Sequence, residues 1–145
     1  MVTSAAEIMT APAWTIGCEA SLDEAVALLE RLSVTTVPVV DERQALVGLI
    51  SDMDLLRERT GGLRAVARGR APDVARPGAC RQVAEVMSGL PRVAGFDTTV
   101  AEIVAIMLRQ GLRTVPVVAG DRVVGVVSRG DVLATMRPGA ADRPA

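Results

Sequence analysis

Apolar positions in this chain fall into two kinds of run, and the chain uses them in the same order twice. After Ser21, apolar residues recur at Leu22, Val26, Leu29 and Leu32; after Thr99 they recur at Val100, Val104 and Met107. That spacing predicts two amphipathic helices, each with one buried face. Both are opened by a capping box, Ser21 with Glu24 and Thr99 with Glu102, in which hydroxyl and carboxylate satisfy each other's backbone N–H groups. Gly111 suits the left-handed position that ends the second helix, and Ser33 holds that place in the first.

The other kind of run is short, β-branched and almost unbroken by polar residues. Val37 to Val40 and Leu46 to Ile50 flank Asp41-Glu42-Arg43-Gln44; Val115 to Val118 and Val123 to Val127 flank Ala119-Gly120-Asp121-Arg122. Each pair predicts an antiparallel hairpin covered on both faces. A further helix is predicted from Ser51 and from Ser128. Ahead of each long helix stand a short helical turn, near Ser4 or Gln82 with Glu three residues on, and an extended stretch at Trp14-Thr15-Ile16 or Arg92-Val93-Ala94.

The repeat is visible residue by residue. Glu7-Ile8-Met9-Thr10 returns as Glu85-Val86-Met87-Ser88, and Thr36-Val37-Pro38-Val39-Val40 returns unchanged as Thr114-Val115-Pro116-Val117-Val118. Gly48-Leu49-Ile50-Ser51-Asp52-Met53-Asp54 returns as Gly125-Val126-Val127-Ser128-Arg129-Gly130-Asp131, after a slip of one residue in the hairpin turn. Such periodicity marks a duplicated structural unit. The expectation is an α+β fold of two tandem β-α-β-β-α repeats, each too small to bury its own sheet, packed sheet to sheet. The expected boundaries are 1–59 and 81–136 for the repeats, 60–80 for an Arg-, Gly- and Pro-rich connector, and 137–145 for a flexible tail.

Composition then removes classes of chemistry. The chain of 145 residues is half apolar, yet Trp14 and Phe96 are its only aromatics. It has no His and no Lys; every basic residue is Arg. Without His there is no Ser-His-Asp or Cys-His pair, and without Lys no Schiff base or P-loop lysine. Cys18 and Cys80 stand far apart and outside any CxxC pattern, which points to a reducing compartment and away from disulfides or a metal knuckle. A net charge of -1 is unlike a polyanion binder. The start of the chain does not read as a signal peptide, and no apolar run nears the ~18 residues of a membrane span, so a soluble, cytoplasmic protein is expected. The arginines in and beside the connector read as a solvated linker or as a nucleic-acid patch; the lack of interleaved aromatics favours the linker.

The succession of Met9, capping box, Thr-Val-Pro-Val-Val, hairpin and Gly-h-h-Ser-x-x-Asp resembles the CBS domain, and two such copies resemble the CBS pair, or Bateman module. The resemblance runs from about Ser4 to Met136 and leaves no room for an attached enzyme or transporter domain. It implies two copies related by a pseudo-twofold axis, with clefts between them that take an adenosine compound. The implied ligands are AMP, ADP or ATP, or a relative such as S-adenosylmethionine. The implied binding residues are Thr36, Val37, Pro38, Ser51 and Asp54 in one copy, and Arg113, Val115, Pro116, Ser128 and Asp131 in the other. The Val-Pro strands would flank adenine, Asp54 or Asp131 would accept from ribose hydroxyls, and Ser51 or Ser128 would sit near the phosphates.

Elementary chemistry is in keeping with these roles. A carboxylate is acceptor-only and can take two hydroxyl donors; Arg113 can grip a phosphate bidentately. Gly48 and Gly125 are expected to let a ligand approach the strand backbone. Thr35 stands where the second copy has Arg113, so the two sites are not equivalent, and Arg129 adds to the bias. The competing reading of Ser-x-x-Asp is a helix cap and nothing more. At the level of function, a non-catalytic sensor read by an effector protein stands against a ligand-free homodimeric interaction module; no metal, membrane or nucleic-acid partner is expected.

Overall fold

The computed structural model describes residues 2–60, 67–69 and 81–139. Most of the expected connector, Cys80 included, falls outside the described residues, as do residues 140–145. In chain order the elements are α1 (Ala5–Ile8), β1 (Ile16–Gly17), α2 (Leu22–Leu32), β2 (Thr36–Val40), β3 (Leu46–Ser51) and α3 (Asp52–Thr60). They continue with α4 (Val83–Val86), α5 (Val100–Gln110), β4 (Thr114–Ala119), β5 (Arg122–Ser128) and α6 (Arg129–Thr135). No helix among the described residues is long and apolar enough to cross a membrane.

Local chemistry sets the helix ends. The Ser21 hydroxyl accepts from Glu24 N–H at 3.1 Å, and the Glu24 carboxylate accepts from Ser21 N–H at 2.9 Å. Thr99 and Glu102 repeat the box at 3.2 and 3.0 Å. α2 ends on Ser33 at φ 52° and α5 on Gly111 at φ 64°, both left-handed. Ahead of α4, the Glu85 carboxylate accepts from Gln82 N–H at 2.8 Å. Ser4, by contrast, makes no side-chain cap on α1; the expected capping arrangement is absent there.

The helices bury a different stripe from the one the apolar spacing suggests. On α2 the buried residues are Leu22, Ala25 and Leu29, while Val26 is exposed; on α5 they are Ile103 and Met107, with Val100 and Val104 half-buried. A helix of 3.6 residues per turn brings both i+3 and i+4 onto one side of residue i. Ala25, like Ile103 at the matching place on α5, is fully buried, and Val26 turns outward.

The hairpins form as expected. β2 and β3 pair antiparallel from Thr36↔Ser51 to Val40↔Leu46, and β4 and β5 from Thr114↔Ser128 to Ala119↔Arg122. A register shift falls at Val39/Val40 and again at Val117/Val118. β1 joins β2 in parallel through Ile16↔Val39; its counterpart in the second copy is a single parallel bridge, Ala94↔Val117. The turns differ. In the first, Asp41 accepts from Arg43 N–H at 2.8 Å and Ala45 N–H at 3.0 Å, and Gln44 adopts φ 66°. In the second, the strands run on to Ala119 and Arg122, leaving only Gly120 and Asp121, with Gly120 at φ 66°. That difference accounts for the slip in the repeat.

Packing divides the chain differently from the repeat. Residues 15–91 form one compact unit, here the continuous unit; residues 2–14 with 92–139 form the other, the split unit. The cause is an exchange of short segments. Ser4 bridges to Thr99, and Thr10 to Val126, while Gln82 bridges to Ser21 and Ser88 to Leu49. In the split unit Ala5 N–H donates to Thr98 O at 2.7 Å, and Thr10 and Val126 exchange bonds of 2.8 and 3.0 Å. In the continuous unit Val83 N–H donates to Ala20 O at 2.8 Å, and Ser88 and Leu49 exchange bonds of 2.9 and 3.2 Å. Each unit closes over its own core: Leu22, Ala25, Val37, Val39, Ile50 and Val83 in one, and Ala5, Ile103, Val115, Val117 and Val127 in the other.

Removal of residues 2–14 should therefore strip amide-exchange protection from β4 and β5 while β2 and β3 keep theirs. Loss from both hairpins, or from neither, contradicts the exchange. Ser33→Gly should raise the stability of the chain by about 1 kcal/mol in urea unfolding, because a left-handed residue with a Cβ is strained.

Candidate ligand-binding site

Strand register brings the start of each hairpin beside the start of the helix that comes after it. Thr36 pairs with Ser51, and Thr114 with Ser128. One residue earlier the backbone locks the same corner: Asp52 N–H donates to Thr35 O at 2.8 Å, and Arg129 N–H donates to Arg113 O at 3.0 Å. Each unit thus has one corner that gathers the expected residues. In the continuous unit it holds Thr35, Thr36, Ser51, Asp52 and Asp54; in the split unit it holds Arg113, Thr114, Ser128, Arg129 and Asp131.

At both corners the Ser-x-x-Asp motif caps its helix. Asp54 Oδ2 accepts from Ser51 N–H at 2.9 Å, and Ser51 Oγ accepts from Asp54 N–H at 3.2 Å. Asp131 Oδ2 and Ser128 Oγ do the same at 2.9 and 3.1 Å. One oxygen of each carboxylate is committed to the cap. The other oxygens differ. Asp54 Oδ1 accepts from Arg57 at 3.2 Å. The position matching Arg57 is Ala134, and among the described residues Asp131 Oδ1 has no hydrogen-bond partner.

The Val-Pro strands lie inside their units. Val37, Pro38, Val115 and Pro116 are all buried, with Val37 and Val115 packed into the two cores. The Pro116 carbonyl already accepts from Ala94 N–H at 2.9 Å. Thr114 is the buried polar residue of this region, where its counterpart Thr36 is half-buried.

The glycine expectation needs correction. A Cβ on Gly48 would stand 2.3 Å from Ser88 O and 2.9 Å from Met87 Sδ; on Gly125 it would stand 2.7 Å from Met9 Sδ and 3.0 Å from Thr10 O. The space beside each glycine is filled by the exchanged segment of the chain itself, and no ligand needs it. The signal was present in the sequence, since Met9-Thr10 and Met87-Ser88 repeat in step with the glycines, but nothing in sequence alone says what lies over them. Arg57 and the Thr35–Asp52 and Arg113–Arg129 pairings were likewise not singled out as units. An offset of three residues from Asp54 was the available sign of the first.

Next to the corner, and sharing Asp52 with it, α2 and α3 leave an open groove of about 390 Å³ lined by Val26, Leu29, Val34, Leu55 and Leu56 and rimmed by Glu30, Asp52 and Arg59. Arg59 forms an ion pair with Asp23 across it. Most matching positions in the second copy lack these charges: Leu108 replaces Glu30, Ala101 replaces Asp23 and Met136 replaces Arg59, while Arg129 replaces Asp52. Leu108, Leu133 and Met136 are 79%, 62% and 62% exposed.

Comparison with known proteins places these features in a family. The family model for the CBS domain matches residues 5–61 and again 83–137. A curated relative, "CBS domain-containing protein CBSX1, chloroplastic" of Arabidopsis thaliana, is 30% identical over 128 residues, covering 78% of this chain; the chain spans only 54% of that relative's length. Among solved structures, CBSX2 in complex with AMP superposes with a TM-score of 0.73 at 26% identity, covering 92% of this chain and 95% of that one. The CBS domain pair of protein MJ0100, in complex with 5′-methylthioadenosine and S-adenosyl-L-methionine, gives 0.74 at 26% identity, covering 94% and 97%.

Gly48→Ala should cost at least about 2 kcal/mol in chemical unfolding, since backbone must move to admit the new carbon. Gly125→Ala should cost less, because the flexible Met9 side chain can yield first. Equal and negligible costs would show that the segments do not lie where the bonds place them.

Proposed function

The chain belongs to the CBS-domain family, and from that premise we propose that it is a non-catalytic regulatory module that binds an adenosine-containing nucleotide at its Ser-x-x-Asp corners. Asp54 and Asp131 accept from ribose hydroxyls; Ser51 and Ser128 and the strand starts Thr36-Val37-Pro38 and Val115-Pro116 frame the nucleoside; Arg113 holds phosphate. The observation that carries the reading is Asp131, whose Oδ1 has no hydrogen-bond partner among the described residues, beside the exposed Arg113 and Arg129. Capping alone uses one oxygen of that carboxylate and leaves the other oxygen and both guanidinium groups without a task. The complexes of similar proteins with AMP, 5′-methylthioadenosine and S-adenosyl-L-methionine support an adenosine ligand.

Absence of catalysis is argued from the residue types. With no His and no Lys, acid–base chemistry falls to carboxylates, and those at the corners are tied into caps. Binding shifts the chain toward the arrangement with higher ligand affinity, and an effector protein reads that shift. The free thiol of Cys18 suits a reducing cytoplasm.

A homodimer is the second part of the reading. Leu108 on α5, Leu133 on α6 and Met136 at the end of α6 are exposed apolar side chains of the kind that copies of one chain bury against each other. If no ligand exists, this face remains as the function of the protein.

Thermal unfolding against AMP, ADP, ATP, S-adenosylmethionine, NAD and guanine nucleotides tests the proposal. A ligand at a hundred times its dissociation constant adds about 2.7 kcal/mol, which for a chain of this size raises Tm on the order of 5–10 °C. The shift should appear with adenosine compounds and vanish in Asp54→Ala/Asp131→Ala. No shift with any of them leaves the ligand-free dimer.

A further inference from the structure

The two corners share a backbone and differ in charge. In the continuous unit the hairpin start and helix start bring Thr35 against Asp52, and Arg57 is drawn onto Asp54. In the split unit the same backbone bond brings Arg113 against Arg129, and among the described residues no cation stands on the outer oxygen of Asp131. One corner thus holds two carboxylates and one guanidinium, the other one carboxylate and two guanidinium groups. Neither Arg113 nor Arg129 forms an ion pair among the described residues, and both are exposed.

We propose that the two corners select adenosine compounds of opposite tail charge: the Asp131 corner takes one with a 5′-phosphate, and the Asp54 corner takes one whose 5′ substituent is neutral or cationic. This rests on the adenosine-binding reading above. The ribose is handled alike at both, by an aspartate of the same motif. The 5′ substituent is handled differently. At the Asp131 corner a phosphate meets two guanidinium groups against the single carboxylate of Asp131, and charge-assisted pairs with Arg are strong and bidentate. At the Asp54 corner it meets the Asp52 carboxylate. Arg57 is no free substitute, because leaving Asp54 uncovers that carboxylate to the incoming phosphate. A methylthio or sulfonium tail meets neither repulsion.

The experiment is isothermal titration of the full chain with AMP and with 5′-methylthioadenosine, which share adenine and ribose and differ at the 5′ position. Each should bind the wild-type chain with the other present at saturation, with its affinity unchanged. Arg113→Thr/Arg129→Asp should weaken AMP at least about tenfold and leave 5′-methylthioadenosine unaffected. Thr35→Arg/Asp52→Arg should create a second AMP site. These side chains lie outside both cores, so the variants keep the fold, and unchanged unfolding curves would confirm it. Competition of the two compounds for one site, or AMP affinity indifferent to both double substitutions, overturns the charge selection while leaving adenosine binding intact. Failure of either compound to bind the wild-type chain overturns the adenosine reading itself, and the selection with it.

Discussion

The close approach of a backbone segment to a hairpin glycine holds each unit together. Gly48 lies under Met87 and Ser88, and Gly125 under Met9 and Thr10, at distances that exclude any side chain. The paired backbone bonds Ser88–Leu49 and Thr10–Val126 form only because those strands come so near. Each segment also delivers a wholly buried residue, Val83 or Ala5, into the core beneath the long helix. A covered hairpin is what allows strands so nearly devoid of polar residues to exist in water. The position of the Ser-x-x-Asp corner, set by the last pair of the same hairpin, depends on it in turn.

What could be read from the sequence was what is decided locally. The capping boxes of the two long helices, the left-handed ends at Ser33 and Gly111, and the hairpins depend on residues a few positions apart, and these formed where the pattern put them, whereas the cap expected at Ser4 did not. The partner of the first short helix could not be read in this way. Ser4 could face Ser21 or Thr99, since the two capping boxes are chemically alike, and only the packed structure distinguishes them. The same ambiguity made Gly48 and Gly125 look open to a ligand. On the helices, Val26 outweighs Ala25 in any hydrophobic count, yet it is Ala25 that is buried, as is Ile103 at the same place in the other copy.

The site residues were legible in identity and less so in state. Asp54 and Asp131 occupy the same place in the same motif and hold the same cap to within a tenth of an ångström. Their difference lies one turn on, in Arg57 against Ala134, and across the strand, in Thr35 against Arg113. Duplication of a unit preserves the backbone that makes a corner, and substitution around it then separates what the two corners do.

Residues 2 and 139 both belong to the split unit, and the continuous unit is a single length of chain let into it between residues 14 and 92. Tension applied at those outer ends runs through the pairings of the split unit and bypasses the continuous one. The Thr10–Val126 and Ala5–Thr98 bonds must part before any load reaches β2 or β3. Under mechanical strain the pairings of the exchanged segment in the split unit are therefore the first to carry load.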